Sequence, residues 1–202
     1  SMIGRLKYGY DSKYFAEFSF RIDGSTNFSP DNRWGFFPSI STSWVLSNEK
    51  FFKNWNQNVV SNAKVRLSTG WLGNDGLVSA YSYLKNYTES PNYGYSFGSS
   101  SNTTGNYSPG FTLLAYPNTD LTWGKTHDYN IGADFGLFNG KIGISFDYFI
   151  RYETNKITSA PDYLFPPSTG VDGAYPSMNF SKLKAWGWDL TLSHKNTIGK
   201  LR

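Results

Sequence analysis

Cysteine is absent from the 202 residues, and histidine and methionine occur twice each. Without thiols the chain has no disulfide framework, no thiolate metal site and no cysteine nucleophile. Two histidines do not make a histidine-rich metal site. Long apolar runs are missing as well. Mean hydropathy is −0.48, and no stretch approaches the roughly 20 apolar residues of a membrane-spanning helix. Charge of one sign is not gathered anywhere. The net charge is +4 and the pI about 9.1, yet Lys and Arg are scattered among Asp and Glu. They form no block of about five or six like charges, so no nucleic-acid partner is expected. Ser1-Met2-Ile3-Gly4-Arg5 runs directly into alternating sequence without an apolar h-region, and no signal peptide is read there.

Aromatic side chains are what the chain has in excess. Phe, Tyr and Trp number 16, 15 and 7, or 19% of residues against 17% charged, which excludes a disordered chain. They recur with period two, the period of a strand whose faces differ. Tyr14, Ala16, Phe18, Phe20 and Ile22 alternate with Glu17, Ser19, Arg21 and Asp23, broken by Phe15. Trp34 to Leu46 sets rings and aliphatics against serines, and Val65, Leu67 and Trp71 oppose Lys64, Arg66 and Ser68. Tyr129 to Phe135, Ile142 to Tyr152 and Trp186 to Leu192 repeat the rhythm, with Phe149 the exception. The reading is all-β, with antiparallel strands near 3–10, 14–23, 34–47, 63–72, 121–136, 141–156 and 183–197.

Strand length narrows the class. Soluble strands cluster near 5 to 6 residues, whereas a tilted membrane strand needs roughly 9 to 11, and several of these alternations are that long. The connections alternate too. Asp11-Ser12-Lys13 and Phe138-Asn139-Gly140 are tight turns, the second with the Asn-Gly pair that tolerates positive φ. Opposite them lie long loops near 24–33, 73–120 and 158–181, while Asn48 to Asn62 is a medium connection on the short-turn side with room for one helical turn. Short turns on one rim and long loops on the other describe a transmembrane β-barrel. Trp34, Trp71, Trp123, Tyr152 and Trp186 would then form an interfacial girdle. The alternative is a soluble carbohydrate-binding β-sandwich whose apolar faces meet in a core.

FRIDGSTNFSPDNRWGFFPSISTSWVLSNEKFF, from Phe20 to Phe52, resembles the barrel signature of SusC/RagA-like TonB-dependent outer-membrane transporters. AKVRLSTGWLGNDG, at Ala63 to Gly76, is similar to the following strand and its exit loop, and NTDLTWGKTHDYNIGADFGLFNGKIGISFDYFIRYETNKI, at Asn118 to Ile157, to the next hairpin. The likeness runs from about Tyr14 to Lys195. It implies a large barrel closed around a plug, of which residues 1–202 form an incomplete slice of about seven strands. It also implies import of oligosaccharides or peptides with a SusD-like surface lipoprotein, energy from TonB through regions outside these residues, and a setting in outer-membrane lipid.

No spacing selects a catalytic carboxylate pair, and there is no serine elbow, phosphate-binding glycine loop or metal-ligand spacing. Neither catalysis nor a cofactor or metal is expected. Sugars are bound by stacking on aromatic rings while amides and carboxylates take the hydroxyls. Asn74, Asp75, Tyr81, Tyr83, Tyr87, Tyr93 and Tyr95 offer both kinds of group in the central loop and are the ligand candidates. Arg21, Asp23, Arg66, Asp147 and Arg151 fall on the polar phase of their strands and are candidates to line a lumen.

Overall fold

Alternation of rings with hydroxyl and charged side chains suits a pleated surface that differs from face to face, and strands dominate the chain. A computed structural model describes residues 1–53, 59–76, 78, 80–97, 106–165, 168 and 175–196. Among them run β1 (Met2–Tyr10), β2 (Tyr14–Gly24), β3 (Trp34–Val45), β4 (Val60–Asn74), β5 (Asn86–Phe97), β6 (Asn106–Ala115), β7 (Gly124–Leu137), β8 (Ile142–Ser159) and β9 (Ser177–His194). Seven form one antiparallel sheet in the order β1-β2-β3-β4-β7-β8-β9, and β5 and β6 pair separately. β8 and β9 have 18 residues each, longer than a bilayer crossing requires.

Several strand ends differ from the sequence reading, and three of the differences have a plain cause. The connection read as a loop over 73–120 contains the β5–β6 hairpin. Pro91 and Pro109 interrupt its alternation, and proline is tolerated here because both strands of a two-stranded sheet are edges. β7 starts at Gly124, not near 121, because Leu121 and Trp123 leave the strand to be buried. β9 starts at Ser177, not near 183, because Ser159 and Ser177 are in register and extend the β8 ladder past two irregularities, with Asn155 at φ +53°.

The register sorts the side chains. Leu6, Phe18, Ile40, Leu67, Ile131, Tyr148 and Trp188 lie on one face, and Lys7, Glu17, Ser41, Ser68, Asn130, Asp147 and Asp189 on the other. The apolar face is open: Leu6 is 70% exposed, Leu67 50%, Trp188 61% and Leu192 68%. No second sheet among the described residues covers it, so the sandwich alternative is not the architecture. The two residues that broke the alternation each cover a glycine on the neighbouring strand. Phe15 faces Gly9 and Phe149 faces Gly187, where an added Cβ would meet the ring at 3.2 and 2.8 Å.

Packing concentrates at the two rims. At the loop rim Phe28, Phe37, Val78, Leu121, Trp123 and Ile157 form a core. The Trp123 ring lies 5.2 Å from Phe28 and 5.3 Å from Phe37, and its Nε1 donates to the Arg33 carbonyl at 3.2 Å. Trp123 is therefore a buried core residue and not part of an interfacial girdle; Trp34, Trp71 and Trp186 do stand on the open apolar face.

At the turn rim, Asp11, Ser12, Phe138 and Asn139 take positive φ together with Gly140, as tight hairpins require. The 3-10 turn Leu46–Asn48 and the short helix α1 (Lys50–Lys53) follow β3 there. Glu49 accepts hydrogen bonds from the Tyr14 hydroxyl at 2.6 Å and the Trp44 indole at 3.2 Å, with Lys13 Nζ 3.8 Å away. The Tyr14 bond leads in holding the Glu49 carboxyl below its ordinary range, and hydrogen bonding to Asp11 leads in raising the Lys13 ammonium.

Candidate functional site

The polar face of the sheet carries ordered ion pairs because charges on nearby strands meet directly opposite or on a diagonal of the register. Arg66 on β4 donates from Nε to Asp134 on β7 at 2.8 Å and from Nη2 to Asp147 on β8 at 3.0 Å. Ser145 completes the group by donating to Asp134 at 2.7 Å. Gly132 makes the space, since a Cβ there would sit 2.5 Å from Asp147 Oδ1 and 2.8 Å from Arg66 Nη2. Arg151 pairs with Asp128 at 2.7 and 3.1 Å, and Glu17 holds Arg5 and Lys7 at 3.2 Å each. Arg21 pairs with Asp23 two residues on, at the loop end of β2. Pairs as open to water as these contribute roughly 0.2–1 kcal/mol each. Their larger effect is to fix charged ends in place along this face.

Among the lumen candidates, Arg66 and Asp147 are brought together, as are Arg21 and Asp23, while Arg151 has Asp128 as its partner. Asp23 is buried, so its carboxylate orients Arg21 while the Arg21 side chain stands largely in solvent. Asp189 faces Asp147 across the β8–β9 pair without sharing Arg66. The cross-strand partners were legible only in part, because alternation gives the face of a residue and not its register.

The loop candidates separate into two groups. Asp75 accepts from the Ser25 hydroxyl at 2.6 Å and from Asn27 at 3.3 and 3.4 Å. Asn74 accepts from the Gly76 backbone N–H at 2.9 Å. Asp75 thereby ties the loop after β4 to the β2–β3 loop, and Asn74 closes the turn within its own loop. Tyr81 and Tyr87 are exposed, and Tyr81 lies 6.4 Å from Tyr83 between ring centroids at a positive φ of 60°. These rings can receive a flat apolar face. Tyr93 and Tyr95 are on β5, and their side chains lie outside the described residues.

Sequence reasoning missed the amide that knits this rim. Asn179 on β9 accepts from Thr122 N–H at 2.8 Å and donates to the Thr122 and Asn155 carbonyls at 2.8 Å each. Ser29 and Asn32 donate to the Thr119 carbonyl at 3.0 and 3.3 Å, and Asn118 to the Ser177 carbonyl at 2.9 Å. Loop 24–33 and segment 118–123 are thereby fixed to the ends of β8 and β9.

No protein-family model matches the chain. It is 33% identical over 201 residues to TonB-dependent receptor SusC of Bacteroides thetaiotaomicron, covering 99% of this chain and 19% of that protein. It is 32% identical over 198 residues to TonB-dependent receptor P26 of Formosa agariphila, covering 97% of this chain and 18% of the relative. The chain belongs to the SusC/RagA-like family of TonB-dependent receptors. It spans about a fifth of the length of the relatives it matches and forms a slice of the SusC/RagA-like barrel. The RagAB peptide importer in its closed-closed state overlays on 98% of the chain with a TM-score of 0.77 and 24% identity, over 20% of that structure's chain. The open-open state gives 0.76, also at 24% identity, over 98% of this chain and 19% of that one. Two of the stretches that resembled the SusC/RagA-like signature supply most of the loop-rim core: Phe28 and Phe37 from the first, and Leu121, Trp123 and Ile157 from the last.

Proposed function

We propose that this chain forms part of the barrel wall of an outer-membrane importer that takes up oligosaccharides or peptides with energy from TonB. The carrying observation is likeness to SusC-type receptors along 99% of the chain, in a sheet with one apolar and one charged face. In a closed barrel every backbone donor and acceptor is paired, which permits the apolar face to sit in lipid. The charged face lines the lumen, where the Arg66–Asp134–Asp147 group and the Arg151–Asp128 pair give a solute or plug a fixed pattern of charge. The loop rim, with Tyr81, Tyr83 and Tyr87, meets substrate or a SusD-like lipoprotein lid. TonB acts through regions outside these residues. The near-equal fit to closed-closed and open-open RagAB agrees with a wall that keeps its shape in both states.

The test is uptake by source cells that lack the gene carrying this chain, supplied with labelled oligosaccharides or labelled peptides. Loss of uptake of one class, also seen when TonB is removed, is the expected result. Unchanged uptake of both classes, or recovery of the protein from a soluble fraction, would contradict it. Replacing hairpin residues 86–115 by a short linker separates wall from recognition. Insertion should persist and uptake should fall.

A further inference from the structure

The apolar face has its ionisable groups in an uneven place. Among the described residues, the strands of the seven-stranded sheet set Lys125, His127, Lys182 and Lys184 on that face at the loop end. Lys182 is placed there by its two-residue offset from Lys184. His194 stands alone at the other end, and no Asp or Glu lies on this face of the ladder. On the polar face the pattern is the reverse: Arg5, Lys7, Arg21, Arg66 and Arg151 all have carboxylate partners.

Lys184 stands over an aromatic shelf, with Lys125 and Lys182 beside it on the loop side. Trp71, His127, Tyr152 and Lys184 occupy one register row across β4, β7, β8 and β9, about 14 Å wide at the usual strand spacing. The Trp71 and His127 rings stack at 3.9 Å, and His127 is held from the neighbouring row by Thr69 Oγ1 at 2.9 Å. Tyr129 meets His127 at 4.2 Å and Tyr152 at 6.3 Å, and Lys184 Nζ lies 5.3 Å from the Tyr152 ring centroid. Lys125 stands one row nearer the loops, opposite Thr154. Snorkelling alone would put lysines at a membrane interface. Here they gather beside a ring shelf, on a face of the ladder that carries no acid among the described residues.

We propose that this shelf binds the phosphate-bearing headgroup of an anionic membrane lipid in the leaflet on the loop side. Lys125, Lys182 and Lys184 take the phosphate oxygens, and the Trp71–His127–Tyr152 surface takes the apolar part of the headgroup and the first acyl carbons. The inference rests on the barrel reading, since only a lipid-facing wall presents this shelf to a bilayer.

The test uses the whole receptor that carries this chain, taken from outer membranes into neutral detergent and examined by native mass spectrometry. The probes are phosphatidylglycerol and phosphatidylcholine with the same chains. The wild-type protein is expected to retain phosphatidylglycerol in preference to phosphatidylcholine. Lys125→Gln with Lys184→Gln should weaken that binding about thirtyfold, and Lys125→Arg with Lys184→Arg should keep it. No preference in the wild-type protein, or an unchanged preference in the glutamine variant, would overturn the site and leave the barrel reading standing. Displacement of the lipid by inorganic phosphate alone would overturn a lipid as the occupant. Recovery of the wild-type receptor from a soluble fraction would overturn the barrel reading and the site with it.

Discussion

A methyl group at Gly73 would sit 1.9 Å from Phe37 Cζ, and that ring is held from another side by Trp123 at 5.3 Å between centroids. Overpacking of this kind costs about 1–3 kcal/mol. Gly73→Ala should therefore lower the unfolding temperature of the receptor in detergent, and the loss should shrink in a Phe37→Leu background. Equal losses in both backgrounds would count against the contact. Glu49 sets a pH limit at the other rim. Its folded carboxyl is held low, first by the Tyr14 hydroxyl and also by Trp44 and Lys13. A depressed acid contributes stability that is complete above its unfolded value of about 4.3 and is lost as pH falls through the folded value. Lys13, raised first by Asp11, works in the opposite sense. Its contribution is complete below about 10.4 and is lost as pH rises through its raised value. Thermal melts of wild type and Glu49→Gln should converge in acid and separate above that window. Parallel curves would contradict the assignment.

Between elements, one side chain joins three. Asn179 bonds segment 118–123 and the β8 irregularity at Asn155 to β9. Asn179→Ala removes the partner of the part-buried Thr122 N–H and carbonyl, at about 0.5–1.5 kcal/mol for each bond lost, and leaves the exposed Asn155 carbonyl to water. Hydrogen exchange should rise at Thr122 while the β1–β2 pair stays protected, and uniform loosening would argue against a local knot. The elements also mark what sequence could convey. Period two exposes faces, and the two outliers, Phe15 and Phe149, are legible once Gly9 and Gly187 are seen across the strand. The β5–β6 hairpin was hidden by Pro91 and Pro109, which weaken the alternation on which strand reading depends. Asp75 offered a ligand-like carboxylate, and only the fold shows it engaged with Ser25 and Asn27.

For the whole molecule, the sheet is a wall with two chemistries. β1 and β9 are its edge strands, and pairing with further strands is what makes a barrel of it. As a barrel wall, the sheet turns its Leu67, Ile131 and Leu190 face to lipid and its Ser68, Asn130 and Asp189 face to water. Because the chain has no cysteine, single cysteines at these six sites give a direct measurement: spin labels in the whole receptor in bilayers, with any cysteines elsewhere removed. Labels at 67, 131 and 190 should be relaxed by oxygen dissolved in the lipid, and those at 68, 130 and 189 by a water-soluble nickel chelate. The same accessibility on both faces, or the reverse pattern, would contradict the barrel-wall account.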